Sequence, residues 1–256
     1  MFEGKRVGVT VPAYNEESFI CSVVSNMPSF VDRIYVVNDA STDNTCKVVS
    51  DLCLQEERLV LINHEVNKGV GAAISIGYAK CLKDEMDIAV VMAGDDQMDP
   101  AELPSLLEPI VKGEAGYSKG NRMSSVKHMR GMSYWRRFGN WLLRGLTRIS
   151  SGNYQVMDPQ NGYTAISAEA LRKINIDGIY SYYGYCNDML AKLSVANVTV
   201  VEVTMPARYQ GEKSKIRYDR YVIRVSGLLL RNFIWRMRMK TKTKFIFRRN
   251  ESDLCA

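Results

Sequence analysis

Within the first hundred residues, four short apolar runs at positions 6–11, 33–38, 59–63 and 88–92 are separated by stretches with helical patterning, and each ends in polar residues. Runs of this length, rich in Val and Ile, read as strands. The intervening stretches, at 18–27, at 43–55 after Ser41-Thr42-Asp43, and from Asn67-Lys68-Gly69-Val70-Gly71 to near Leu82, read as helices. A βαβαβαβ rhythm predicts an α/β fold with a parallel, doubly wound sheet. Ligands of such sheets bind beyond the carboxyl ends of the strands. Those ends carry Tyr14, Asn15 and Glu16 after the first strand, Asp39 after the second, Lys68 and Gly69 after the third, and Asp95 and Asp96 after the fourth. Turn chemistry explains any one of these clusters, but explains four on one rim less well.

The fourth cluster, Gly94-Asp95-Asp96-Gln97-Met98-Asp99-Pro100, follows an apolar run directly. Carboxylates at a strand end, beside a glycine that admits a close backbone approach, suit a hard divalent cation and a diphosphate. An acidic turn followed by proline is also a common helix start.

With 256 residues, 46% hydrophobic and 24% charged, the chain can bury a core in one large domain. Its six cysteines form no CxxC pair and it has only two histidines, so reduced thiols are expected, with neither a zinc site nor a disulfide framework. Met1 to Arg6 lacks a signal-peptide apolar region, and no run reaches the roughly 18 apolar residues of a membrane span. The net charge of +6 is uneven. Between Met205 and Asn250 there are 14 Lys and Arg against Glu212 and Asp219, a balance of +12, which leaves −6 for the remainder. A tail this basic implies an anionic partner.

Val11-Pro12-Ala13-Tyr14-Asn15-Glu16-Glu17, Val37-Asn38-Asp39-Ala40-Ser41-Thr42-Asp43, Asn67-Lys68-Gly69 and Gly94 to Pro100 occur in an order that resembles the family 2 glycosyltransferases with the GT-A fold. The similarity runs from about Val7 to Ile216 and is greatest to the dolichyl- and polyprenyl-phosphate sugar synthases. It implies a Rossmann-like, mostly parallel sheet flanked by helices. It also implies that Pro12, Tyr14, Glu16 and Asp39 contact the base and ribose of a UDP- or GDP-linked sugar, with Lys68 and Gly69 on the same rim. Asp95 would hold Mg²⁺ or Mn²⁺ bridging the diphosphate, supported by Asp96. The chain departs from the family's Asp-x-Asp at Ala93, where the first carboxylate is missing; either Asp96 or Asp99 substitutes for it, or one protein carboxylate, waters and the diphosphate itself satisfy Mg²⁺.

Further along, Gly120-Asn121-Arg122 resembles the family's Gly-x-Arg element, which places a cation near the donor phosphates. Asp158-Pro159-Gln160-Asn161-Gly162-Tyr163 resembles its Asp-x-x-x-Gly-aromatic signature, so Asp158 and Gly162 are assigned to the acceptor side. Thr164 stands where the lipid-phosphate synthases usually have Arg, which removes one phosphate contact. Asp188 falls at a helix start where it is a candidate base for a sugar hydroxyl acceptor; for an already ionised phosphate acceptor it would only orient groups. Arg208, Ser214 and Lys215 match an Arg-x-x-Gly-x-Ser-Lys loop, with one extra residue, that would fold over the diphosphate and acceptor phosphate and stabilise the departing charge.

From Asp219 to Met239, Arg220, Arg224, Arg231 and Arg238 share a narrow helical sector opposite Val222, Val225, Leu229, Leu230, Phe233 and Met237. The expected organisation is a GT-A domain over 1–216 and a basic amphipathic helical segment over 217–256. That segment would lie on an anionic membrane surface or pack its apolar face on the domain. The stretch 132–149, with Trp135, Trp141, Arg144 and Arg148, is a second candidate interfacial element. The combined expectation is an inverting glycosyltransferase at the cytoplasmic face of the cell membrane, transferring to a lipid-linked acceptor, with polyprenyl phosphate favoured over a sugar hydroxyl. Ala93 also motivates a catalytically inactive nucleotide-sugar or membrane-binding protein. A nucleic-acid partner is not expected, and nothing in the sequence sets an oligomeric state.

Overall fold

The computed structural model describes residues 1–123, 134–206 and 224–241; Arg208, Ser214, Lys215 and the stretch 219–223 of the basic segment lie outside the described residues. Strands β1 (Val7–Ala13), β2 (Arg33–Asn38), β3 (Leu59–Asn63), β4 (Ile88–Val91), β5 (Tyr117–Asn121), β6 (Thr164–Ser167) and β7 (Val200–Thr204) form one sheet in the order β3-β2-β1-β4-β6-β5-β7. The pairings among β3, β2, β1 and β4 are parallel, as is β5 with β7. Only β6 runs against its neighbours, β4 and β5. The expected mostly parallel α/β sheet is therefore present.

Period-2 alternation sends the strand side chains to two cores. Val7, Val9 and Val11 of β1, Ile34 and Val36 of β2, and Ile88 and Val90 of β4 pack on one face, with helices α1 (Ile20–Ser25) and α4 (Leu103–Val111). Tyr35, Ala89 and Val91 point the other way, onto α3 (Val70–Lys83) and α7 (Tyr185–Val195). Helices α1 and α2 (Thr45–Leu52) are shorter at both ends than the sequence suggests. Asp43 accepts from both the N–H and the hydroxyl of Thr45, and Glu17 accepts from the Asn44 N–H, so α2 begins only at Thr45.

Helix α3 lies unusually close to β1. A Cβ on Gly77 would sit 2.1 Å from Thr10 Cγ2, so only glycine allows this approach, which carries the start of α3 down to the rim of β1. The chain passes from β1 outward to β2 and β3, then crosses back to place β4 on the other side of β1. That reversal opens a crevice between the carboxyl ends of β1 and β4.

The second half adds α5 (Tyr134–Ser151), α6 (Ala168–Lys173), α7 and a last helix, α8, at 224–241. The apolar arc expected on α8 divides in two. Val225, Leu228 and Leu229 are buried against the domain, whereas Leu230, Ile234 and Met237 stay exposed. The division follows from docking: Arg236 donates to the carbonyls of Ser150 and Ile149 at 2.9 Å each, and Ser150 Oγ donates to the Leu229 carbonyl at 2.7 Å. Arg236, outside the arginine sector read from the sequence, is thus a buried clamp on the end of α5, while Arg224, Arg231 and Arg238 remain exposed. Among the described residues no helix is long and apolar enough to cross a membrane.

Candidate active site

A cavity of about 340 Å³ lies in the crevice between β1 and β4, lined by Pro12, Ala13, Tyr14, Glu16, Asp39, Asn67, Gly69, Val70, Ala73, Ala93, Gly94, Asp95, Tyr182 and Tyr183. Six residues proposed from the sequence for the nucleotide sugar meet here: Pro12, Tyr14, Glu16, Asp39, Gly69 and Asp95. Lys68 contributes its backbone, donating its N–H to Asp39, and its side chain is absent from the lining. Three carboxylates face the cavity, and the described lining has no Lys, Arg or His.

The rim holds its shape through unusual backbone. Asn15, Ala40 and Asp96, next to the ends of β1, β2 and β4, all have positive φ, at 56°, 58° and 58°. Non-glycine residues seldom adopt this conformation, and where they do the surrounding contacts enforce it. Around Asn15 those contacts are explicit: its N–H donates to Ser41 Oγ at 3.0 Å and its side-chain oxygen accepts from the Thr42 N–H at 2.8 Å. Asp39 is held more tightly still. Its carboxylate accepts from the N–H groups of Lys68 and Gly69 at 2.8 Å each and from His64 Nδ1 at 2.6 Å.

The two aspartates after β4 diverge. Asp95 lines the cavity, with Oδ1 accepting from the Gln97 N–H at 3.2 Å. Asp96 is buried and accepts from Ser22 Oγ of α1 at 3.2 Å, away from the lining. Asp99 caps the 3-10 turn Pro100–Glu102 by accepting from the Ala101 N–H, so the helix-start reading of this segment also holds. Among the described residues no group of three or more His, Cys, Asp or Glu side chains could hold an ion by itself. One carboxylate in an acidic cavity fits Mg²⁺ or Mn²⁺, which completes its shell with substrate phosphates and water.

Arg122, expected near the donor phosphates, and Asp158, expected on the acceptor side, meet each other rather than the cavity. Arg122 Nε and its backbone N–H lie 3.0 and 3.2 Å from Asp158 Oδ2. Burial would raise the Asp158 carboxyl, but the Arg122 guanidinium beside it holds it below the ordinary carboxylate value. The Asp158 carbonyl accepts from the fully buried Lys119 Nζ, and Glu202 accepts from the Met157 and Asp158 N–H groups at 2.9 Å each. Burial pushes the Lys119 ammonium below its usual value. Gly162 is a point of close approach, where a Cβ would meet the Tyr185 hydroxyl at 2.6 Å. Thr164 is fully buried in β6.

Asp188 sits in the first turn of α7 and is 2% exposed. It accepts from the Tyr180 N–H at 3.0 Å and lies 3.3 Å from Lys192 Nζ and 3.5 Å from Arg231 Nη2. These partners make it a tie between α7, the 180–183 loop and α8. The same loop supplies Tyr182 and Tyr183 to the cavity, and the Ser181 carbonyl accepts from the Gly71 N–H at 2.7 Å. Neither tyrosine was identified from the sequence, although Tyr180-Ser181-Tyr182-Tyr183 is an aromatic-rich run in the loop before α7. His64, at the end of β3, was passed over as well.

Comparison with known proteins places the chain in a family and a fold. Residues 9–175 match the model of the glycosyl transferase family 2. The chain is 31% identical, over 80% of its own length and 86% of the relative's, to a UDP-N-acetylglucosamine–dolichyl-phosphate N-acetylglucosaminyltransferase of Methanococcus voltae. It is 28% identical, over 81% and 86%, to an undecaprenyl-phosphate mannosyltransferase of Micrococcus luteus. Among solved structures, glucosyl-3-phosphoglycerate synthase from Mycobacterium tuberculosis in complex with Mn²⁺, UDP-glucose and phosphoglyceric acid superposes with a TM-score of 0.64 at 22% identity, covering 91% of this chain and 80% of that one. The chain belongs to glycosyl transferase family 2 and has the GT-A fold, and its relatives include polyprenyl-phosphate sugar transferases.

Proposed function

We propose that the protein transfers a sugar from a UDP- or GDP-linked donor to a polyprenyl phosphate, inverting the anomeric centre, at the cytoplasmic face of a membrane. The observation that carries this reading is the cavity at the β1/β4 reversal, with Glu16, Asp39 and Asp95 in its wall and no basic side chain in its described lining. Such a wall repels a bare nucleotide diphosphate and accepts one that arrives with a divalent cation. Asp95 would hold Mg²⁺ or Mn²⁺, which offsets the charge of the departing diphosphate. Tyr14, Glu16 and Asp39 would orient the base and ribose, fixing the anomeric carbon for attack. Arg208 and Lys215 would approach the diphosphate and the acceptor phosphate, Arg122 would lie on the donor-phosphate side, and Asp158, Gly162 and Ser214 would shape the acceptor side.

The state of Asp188 favours a phosphate acceptor over a hydroxyl. A general base needs an oxygen open to the incoming proton, whereas Asp188 is buried and tied to Tyr180, Lys192 and Arg231. A phosphate nucleophile is already ionised and requires no base. The two relatives named above, whose names specify dolichyl phosphate and undecaprenyl phosphate, support the same acceptor class. Exposed Leu230, Ile234 and Met237 on α8, with Trp141, Leu142 and Ile149 on α5, give the chain apolar surface for a lipid interface, and α8 also carries exposed Arg224, Arg231 and Arg238.

The test is transfer of radiolabelled sugar from UDP- and GDP-sugars, with Mn²⁺ present, to polyprenyl phosphate and, separately, to saccharide acceptors. Labelled lipid with inverted anomeric configuration by NMR is expected. Transfer to saccharides alone would overturn the acceptor assignment, and the absence of any donor turnover would support the inactive binding protein.

A further inference from the structure

Asp39 is the deepest carboxylate of the cavity, and its hydrogen-bonding capacity is nearly exhausted by the protein. A carboxylate offers about four acceptor positions, two on each oxygen. Oδ1 takes two donors, His64 Nδ1 and the Lys68 N–H, and Oδ2 takes one, the Gly69 N–H. Among the described residues' hydrogen bonds one position remains, on Oδ2, in a residue that lines the cavity. Because a carboxylate oxygen can only accept, His64 Nδ1 carries a proton toward Asp39. His64 itself is buried, and its Nε2 has no hydrogen-bond partner among the described residues. An imidazole that leaves one nitrogen unsatisfied in the interior is held there by its other contact, the 2.6 Å bond to Asp39.

We infer that His64 is a specificity-positioning residue that restricts Asp39 to a single hydrogen bond from the donor base, and so selects uracil over guanine. The inference rests on the cavity being the nucleotide-sugar site. Uracil presents one ring N–H between two carbonyls, which matches one open acceptor. Guanine presents a ring N–H and an adjacent amino group, a pair suited to grip both oxygens of a carboxylate. With Oδ1 filled by His64 and Lys68, one guanine donor would be buried without a partner. Adenine and cytosine offer an amino group beside a bare ring nitrogen, and that lone pair would face the carboxylate. The backbone bonds from Lys68 and Gly69 belong to the fold of the loop entering α3, so among the described residues His64 is the one side chain that closes Oδ1.

Calorimetric titration of the full chain with UDP and with GDP, in the presence of Mn²⁺, tests the inference without requiring turnover. The two ligands share the ribose and diphosphate, so their difference reads the base. UDP is expected to bind roughly 10- to 100-fold tighter than GDP, the penalty of one buried unpaired donor. His64→Phe, which opens Oδ1, is expected to weaken UDP and bring the ratio toward one. His64→Asn, whose amide nitrogen can replace Nδ1, is expected to retain most of the preference and serves if the Phe variant does not fold. Equal or tighter binding of GDP by the unmodified chain overturns the inference, as does an unchanged UDP preference in His64→Phe. If Asp39→Asn leaves UDP affinity unaltered, or if neither nucleotide binds, the donor-site reading itself fails, which is a different result from loss of base selectivity alone.

Discussion

Arg122 Nε stands 3.0 Å from Asp158 Oδ2, an ion pair in which the carboxylate is buried and the guanidinium is partly open to solvent. Its folded-state carboxyl is held below the ordinary value of 3.8, so the pair contributes stability that is present above that value and is lost as pH falls through the depressed one. Denaturation midpoints should therefore drop in strong acid. Arg122→Ala should lower stability at neutral pH by roughly 1–3 kcal/mol and flatten the acid limb of the profile, because the remaining carboxylate has lost the cation that depressed it. An acid limb identical to that of the unmodified chain would show that Arg122 does not set the Asp158 titration.

Ala93 lines the cavity beside Asp95, where the sequence resemblance would put the first carboxylate. Ala93→Asp should tighten Mn²⁺ binding in the presence of UDP by about tenfold or more, since a second carboxylate suits a hard cation. Asp95→Ala should abolish the metal dependence of nucleotide binding. Manganese titration followed by electron paramagnetic resonance measures both.

Gly77 and Thr10 set the distance between α3 and β1. Gly77→Ala would normally help a helix by about 1 kcal/mol, but here the added methyl collides with Thr10 and should give a net loss of roughly 1–3 kcal/mol. Introducing Thr10→Ala into the same chain should recover much of that loss. Urea unfolding of the single and double variants gives the coupling energy; simple additivity would rule out the steric account.

Leu230, Ile234 and Met237 form an apolar stripe on the outer side of α8. Replacing all three with Gln, which removes apolar surface without adding charge, should leave the unfolding midpoint nearly unchanged, because these side chains stay exposed, while reducing flotation with anionic vesicles. Flotation equal to that of the unmodified chain would remove α8 from the lipid interface.

The strands were legible because alternating Val and Ile leave few other ways to bury both faces, and the carboxyl-end rule then located Asp39 and Asp95 without any distance information. What could not be read depended on contacts between segments distant in sequence. Nothing near Arg122 signals that Asp158 will claim its guanidinium, and Asp96 is drawn toward α1 by Ser22, a residue far upstream. His64 directly follows an ordinary strand, and its importance comes only from Asp39, which follows the neighbouring strand. The left-handed backbone at Asn15, Ala40 and Asp96 was equally hidden, since only Asn and Asp signal it weakly and Ala does not. Helical periodicity found α8 but assigned it one apolar face, because a one-dimensional pattern does not distinguish side chains covered by protein from those left open.

Arg236 reaches across to the carbonyls at the end of α5, and a Cβ on Gly184, the N-cap of α7, would meet Leu228 Cδ2 at 2.9 Å. Shortening the chain before 224 to obtain a better-behaved protein would therefore strip the cover from α7 and from the loop that supplies Tyr182 and Tyr183. A soluble variant is better sought by recolouring the outer stripe of α8 than by amputation, since the inner side of this helix belongs to the enzyme.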